Sequence, residues 1–140
     1  MRERDVVGLV LVAHSEEVVR GVAAMVAQVA PDVPLGWAGG LGGGRLGTNG
    51  LEVAAALRSV LRETGADGAL VLLDLGSAAM AAGVALDELE PAERALVRLA
   101  DAPFLEGAVL AAVAAAGGGT MDEVAAAAKG AWSMAKWPRD

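Results

Sequence analysis

Reactive side chains in this chain have few places to reside. Its 140 residues include one histidine, His14, and no cysteine. The lack of thiols excludes disulfide frameworks, thiolate metal sites and cysteine nucleophiles, and a single imidazole excludes a metal site built on two. His14 ends an apolar run, in Leu11-Val12-Ala13-His14-Ser15. Asp74 is isolated among apolar residues in a similar setting, Leu72-Leu73-Asp74-Leu75-Gly76-Ser77. An imidazole beside a carboxylate has a defined use. The carboxylate accepts one ring N–H, selects the tautomer and stabilises positive charge on the ring, so the other nitrogen is free to act as a nucleophile. Such a ring can take a group and give it away again.

The elements that must position these two residues are readable from periodicity. Val6 to Ala13 is an uninterrupted apolar run rich in β-branched residues, as expected of a strand covered on both faces. From Ser15 to Val29 the period changes, and Val18, Val22, Met25, Val26 and Val29 predict the apolar stripe of a helix ended by Pro31 and Pro34. Leu35 to Ala38 is a second strand candidate, followed by a glycine-dense segment that runs to Gly50. Asn49 and Glu52 have capping-box spacing. A helix with Val53, Leu57, Val60 and Leu61 on one side follows, closed by Gly65. Ala69 to Leu75 reads as a third strand and Gly76-Ser77 as the opening of a helix to about Glu88. Ala95 to Ala100 reads as a fourth strand, Leu105 to Ala116 as a helix, and Thr120 with Glu123 as the cap of a last helix to about Ala131.

Strands and helices alternate, and the strands are too apolar to have a wet face. Both facts predict an α/β, doubly wound open sheet, mainly parallel, with right-handed crossovers and helices on both faces. About four strands in the common order 2-1-3-4 are expected. Residues 1–131 form one domain in this reading, and 132–140, with Trp132 and Trp137, a C-terminal tail. Ligands of open sheets bind beyond the carboxyl ends of the strands, where the strand order reverses. Here that point lies between strands 1 and 3, so His14 and Asp74 are predicted to meet in one crevice. Helix N-termini follow both residues and favour an anion. Phosphoryl transfer needs mainly positioning and electrostatics, so a sparse site without metal or cofactor suffices.

Each residue also has a plainer reading. A lone histidine is commonly an ordinary surface or core residue, and Asp74 could simply compensate a helix dipole. Ser15 and Ser77 could simply be N-caps. The glycine-dense segment matches neither the P-loop nor the dinucleotide fingerprint and reads equally well as a flexible connection. Gly76-Ser77-Ala78 does not fit the G-x-S-x-G elbow of hydrolases.

Composition bounds the partners. Eleven basic against eighteen acidic residues give a net charge of −7 and a pI near 4.6, which argues against nucleic acid and against an anionic membrane surface. No secretory segment opens the sequence and no apolar run is long enough to cross a bilayer, so a soluble, cytoplasmic protein is expected. Hydrophobic residues make up 55% and the mean hydropathy is +0.49, high enough to suggest a buried subunit interface.

Four short stretches carry a family resemblance. Leu11-Val12-Ala13-His14-Ser15, Gly47-Thr48-Asn49, Leu73-Asp74-Leu75-Gly76-Ser77-Ala78 and Ala102-Pro103-Phe104-Leu105-Glu106-Gly107 occur in order and at matching spacing. They resemble the phosphotransferase subunits of bacterial dihydroxyacetone kinases (the DhaM family), in the domain related to mannose-type enzyme IIA of the phosphoenolpyruvate:sugar phosphotransferase system. The likeness runs from about Val6 to Ala131. It implies that the phosphocarrier protein HPr, charged by enzyme I, phosphorylates His14. The group then passes to ADP on the nucleotide-binding subunit DhaL, and the ATP formed phosphorylates dihydroxyacetone on the subunit DhaK. It implies Asp74 as the orienting partner of His14, and Thr48 and Ser77 as phosphoryl contacts, to which Ser15, Gly47 and Gly76 of the same stretches are added. It also implies a homodimer, in line with the apolar excess. Two positions depart from the family pattern: Ala13 stands where serine is usual and Asn49 where aspartate is usual. Some relatives carry HPr-like and enzyme I-like domains on the same chain; this sequence ends at Asp140, so a donor acting in trans is expected. Two alternatives share parts of this reading: a mannose-type IIA component serving sugar transport, and a non-catalytic doubly wound binding module.

Overall fold

The computed structural model describes residues 6–138, so residues 1–5 and 139–140, at the two ends of the expected domain and tail, lie outside the described residues. Four parallel strands, β1 (Gly8–Ala13), β2 (Leu35–Gly39), β3 (Ala69–Leu73) and β4 (Val97–Leu99), form one sheet in the order β2-β1-β3-β4. The expected strand order is the observed one.

Alternation along the central strands divides the core in two. Leu9, Leu11 and Ala13 of β1 and Leu70 and Leu72 of β3 join one buried cluster; Val10 and Val12 join the other with Ala69 and Val71. The first cluster is completed by helices α1 (Glu16–Val29), α5 (Phe104–Ala116) and α6 (Met121–Gly130), the second by α2 (Gly50–Thr64) and α3 (Ala78–Glu88). Two-residue periodicity sends successive side chains to opposite faces, and both faces are roofed. That is why β1 and β3 are apolar throughout.

Helix starts follow capping chemistry. The Ser15 hydroxyl accepts from the Val18 N–H at 3.3 Å, with Glu16 and Glu17 in the first turn. The Asn49 side chain accepts from Leu51 N at 2.9 Å and Glu52 N at 3.4 Å. Among the described residues the reciprocal bond from Glu52 is not made, so the expected capping box there is a simple cap. At α6 the box is complete: Glu123 N donates to Thr120 Oγ1, and Thr120 N to Glu123 Oε1.

Several expectations are corrected. The buried face of α1 is Val19, Val22, Ala23 and Val26, whereas Val18, Met25 and Val29 are about half exposed. Two apolar stripes run side by side on this helix, and packing on β1 selected the one containing alanine. The third strand stops at Leu73 instead of Leu75, because Asp74 and its successors turn. The helix after it begins at Ala78, one residue beyond Ser77. A four-residue helix, α4 (Pro91–Arg94), precedes β4 and shortens the expected Ala95–Ala100 strand to three residues. Its signals were the proline at the first helical position and Glu93 at N3, which accepts from the Glu90 N–H at 2.9 Å. The tail folds back on the body: the Trp132 indole N–H meets the Asp101 carbonyl and carboxylate oxygens, each at 3.2 Å. No described helix is long and apolar enough to cross a membrane.

Candidate functional site

At the carboxyl ends of β1 and β3 the two strands bring His14 and Asp74 together. Their parallel register pairs Val12 with Leu73, so the residues just beyond are close neighbours. The Asp74 N–H donates to the Val12 carbonyl at 3.1 Å, which extends the β1–β3 ladder to the site itself. The Asp74 carboxylate then accepts three kinds of donor. Oδ2 takes the backbone N–H of His14 at 3.0 Å, Oδ1 takes the N–H of Leu75 at 2.7 Å, and the His14 ring Nδ1 lies 3.0 Å from Oδ1 and 3.3 Å from Oδ2. A carboxylate cannot donate, so this contact puts the ring proton on Nδ1. Nε2 is left with its lone pair, and the Ser77 hydroxyl stands 2.9 Å from it, oriented to donate.

The main chain of His14 is also held from the other side. Gly47 N–H donates to the His14 carbonyl at 2.8 Å. Gly47 has φ +148, and a Cβ there would collide with the Leu41 side chain, so only glycine fits this position without displacing its own loop. The glycine-dense segment is a closed loop, with Gly40 N–H on the Gly47 carbonyl at 3.0 Å and Leu41 N–H on the Arg45 carbonyl at 3.0 Å. It reaches the same end of the sheet as His14. A cavity of about 540 Å³ beside it, lined in part by Glu16, Trp37, Gly40 and Glu52, does not include His14. The histidine opens directly to the surface, its side chain 22% exposed and that of Asp74 17%.

The other expected residues divide. Ser77 makes no capping bond to α3; its hydroxyl serves the histidine instead, so the plain N-cap reading is the wrong one. Ser15 is an N-cap, and its neighbouring peptide belongs to His14. Gly76 lies in the turn between Asp74 and Ser77, its carbonyl taken by the Ala79 N–H. Thr48 is half-buried next to Gly47 and, among the described residues, makes no hydrogen bond to the His14 ring. Residue-by-residue reading missed the backbone: neither the His14 N–H on Asp74 nor the Leu75 N–H on the same carboxylate has a sequence signal, because both depend on the turn that follows β3.

The arrangement is a tautomer-fixed imidazole with one shielded and one reachable nitrogen. Comparison with known proteins gives it a family. Residues 8–125 match the EIIA-man family model, described as the fructose IIA component of the PTS system. The chain belongs to this family. Within it the likeness is to DhaM. A "PEP-dependent dihydroxyacetone kinase, phosphoryl donor subunit DhaM" from Klebsiella michiganensis is 39% identical over 122 residues, covering 84% of this chain and 25% of that protein. A "PEP-dependent dihydroxyacetone kinase 2, phosphoryl donor subunit DhaM" from Listeria innocua is 35% identical, covering 76% of this chain and 84% of the relative. The chain thus spans about a quarter of the Klebsiella protein and most of the Listeria one. A solved protein described as of unknown function superimposes with a TM-score of 0.79 at 27% identity, covering 94% of this chain and 98% of its own. The chain is a DhaM-like, mannose-type IIA domain, with His14 and Asp74 at the switch point of that fold.

Proposed function

We propose that this IIA domain is a phosphohistidine carrier, with His14 Nε2 as the atom that bears the phosphoryl group. The observation that carries the reading is the pair of contacts on one ring, the Asp74 carboxylate on Nδ1 and the Ser77 hydroxyl on Nε2, in a side chain that is 22% exposed. The Nε2 lone pair attacks phosphorus, the new N–P bond forms as the donor's N–P bond breaks, and the electron pair returns to the donor's ring nitrogen. Positive charge that develops on the His14 ring is met by Asp74, which is already in place and needs no reorganisation. Ser77 must release Nε2 as the group arrives, and its hydroxyl then donates to a phosphoryl oxygen. The N–H groups of Gly76 and Ser77, unbonded among the described residues, offer further donors at the start of α3. Gly47 fixes the His14 main chain through its N–H on the carbonyl, and Ser15 and Thr48, the chain neighbours of His14 and Gly47, complete the phosphoryl-binding residues of this reading.

The donor in this reading is HPr and the acceptor ADP on DhaL, in a kinase whose DhaK subunit binds dihydroxyacetone; the domain acts in the cytoplasm as a homodimer. The names of the relatives from Klebsiella and Listeria support the dihydroxyacetone kinase assignment. The family description, a sugar-system IIA component, favours a second reading in which His14 serves sugar transport and only the acceptor differs. Intact-mass measurement after incubation with phosphoenolpyruvate, enzyme I and HPr tests the carrier. One acid-labile phosphoryl group per chain is expected, and none in His14→Ala. A chain that gains nothing is a binding module without phosphoryl chemistry. Addition of DhaL with ADP separates the two acceptors, since ATP formation is expected only for the kinase carrier.

A further inference from the structure

The residues assigned so far to the phosphoryl group, Ser15, Gly47, Thr48, Gly76 and Ser77, are all neutral, whereas the charged groups that touch His14 or follow it in the chain are acids. Asp74 is on Nδ1. Glu16 and Glu17 stand exposed in the first turn of α1, just after the histidine. A phosphoryl group brings about two further negative charges, and crowding like charges disfavours the charged form. On the segments that adjoin His14 cations are scarce. α3 carries none, α1 carries Arg20 and the glycine-dense loop carries Arg45. Arg20 is already on Glu16 at 3.4 Å and over the Trp37 ring at 5.8 Å.

Arg45 is held differently. The chain leads from it through Leu46 to Gly47, whose N–H holds the His14 carbonyl at 2.8 Å. A cavity of about 110 Å³ is lined by Arg45 and the neighbouring loop glycines and, from α1, by Ser15, Glu16 and Glu17. The arginine thus borders the segment that leaves the histidine. Among the described residues it makes no ion pair with either glutamate. Its Nη2 donates to the Leu41 carbonyl at 3.2 Å and its Nε to the Gly42 carbonyl at 3.5 Å. Both acceptors are neutral groups of its own exposed loop. Gly42, Gly43 and Gly44 have φ of +88, +60 and +77, and a Cβ at any of them would meet open space. This part of the loop can therefore turn without emptying a packed core.

We infer that Arg45 is the phosphoryl-binding cation of this domain: once His14 is charged, the guanidinium leaves the Leu41 and Gly42 carbonyls and pairs with the phosphoryl oxygens. The inference rests on the carrier reading above and adds the positive charge that reading lacks. A doubly charged acceptor holds a guanidinium better than neutral carbonyls do, and the planar fork takes two oxygens at once. The pairing exists only after the N–P bond has formed. Its effect therefore falls on the equilibrium of transfer, by making the charged domain a more favourable resting place for the group.

The test is the equilibrium constant for transfer from phosphorylated HPr, read by intact mass, for the wild-type chain, Arg45→Gln and Arg45→Lys. Arg98→Gln, which removes an equal charge at the far edge of the sheet, is the control. Circular dichroism and the urea midpoint check folding. Arg45→Gln is expected to lower the constant about tenfold, the loss of a hydrogen-bonded charge pair. Arg45→Lys, which keeps the charge but not the fork, is expected to recover most of that loss, and Arg98→Gln to stay within about twofold of wild type. A second measurement needs no variant: in the wild-type chain the Arg45 Nε–H resonance is expected to shift on phosphorylation. An unchanged constant in Arg45→Gln, or an Nε–H signal that stays in place, overturns the role of Arg45 and leaves the carrier reading standing. So does a lysine variant as weak as the glutamine one, which would assign the loss to the shape of the loop. A wild-type chain that takes no phosphoryl group overturns the carrier reading and this inference with it.

Discussion

β3 has a neighbour on each side, and its two seams differ. Along β1 and β3 five residue pairs are in register, and Gly8 to Ala13 and Ala69 to Leu72 are all buried. Along β3 and β4 there are three pairs, with Val97 half-exposed and Arg98 and Leu99 exposed. Helices roof the first seam on both sides; the second is an edge that carries a surface ion pair, Arg98 to Asp122 at 2.8 Å. The residues beyond the first seam are His14 and Asp74, joined by contacts of 3.0 Å. The second seam ends in Ala100 and Asp101, where the acid receives the tail tryptophan. Both ends offer an acidic residue just after a strand, Asp74 after β3 and Asp101 after β4. Only the doubly covered seam holds its acid against the residue that follows the neighbouring strand, with His14 N and Nδ1 both on Asp74, because close packing leaves its backbone little room to shift.

That contrast can be broken or sharpened by experiment. The largest effect is expected from Leu70→Ala, which empties a fully buried position in the core shared with α5 and α6: about 3–5 kcal/mol lost in urea unfolding, against less than about 1 kcal/mol for Leu99→Ala at the edge. Equal losses would mean that the seams do not differ in packing. Next is Asp74→Asn, which keeps the shape but removes the charge that compensates the ring. Transfer from HPr, followed by rapid quench, is expected to slow about 100-fold, whereas Asp101→Asn at the other seam should leave it unchanged; an unimpaired Asp74→Asn removes the orienting role. Ser77→Ala should slow the step about tenfold, by the loss of one hydrogen bond to a charged group. A faster rate in that variant would mean that the hydroxyl mainly blocks Nε2.

The smallest effect concerns the α6 cap, next to the Asp122 that pairs with Arg98 at the edge. Hydrogen bonds from the backbone and side chain of Thr120 hold the Glu123 carboxyl below its ordinary value of 4.5. A depressed carboxyl stabilises the fold fully above the unfolded-state value and loses that contribution as pH falls through the folded one. Glu123→Gln, which removes the charge held by the Thr120 N–H, should therefore lower the urea midpoint slightly near neutral pH, with the difference from wild type fading below about pH 4.5. A gap that stays constant into acid would mean that the carboxylate charge is not what the cap stabilises.

Much was legible without coordinates wherever burial imposes a pattern. The two central strands announce themselves by runs with no polar residue, since a strand roofed on both faces tolerates none. With the common 2-1-3-4 order adopted for such strands, the switch point and the meeting of His14 with Asp74 follow. Legibility failed where several answers satisfy the same pattern. On α1 two members of the expected stripe, Val22 and Val26, are buried, and a scale that discounts alanine takes Val18, Met25 and Val29 in place of Val19 and Ala23. Around β4 a helical turn at Pro91 competes with the strand, and at the edge no second roof decides between them.

By itself the sequence determined which atoms are available for chemistry, one imidazole and a solitary carboxylate, and at the ends of which strands they would stand, because apolar periodicity is written residue by residue. The tertiary structure decided how they act. It turned Ser77 from a helix cap toward Nε2 and hung the His14 peptide between Asp74 and Gly47. Those outcomes depend on the direction in which loops leave a packed sheet. Direction is set by contacts between segments distant along the chain, which no local spacing records.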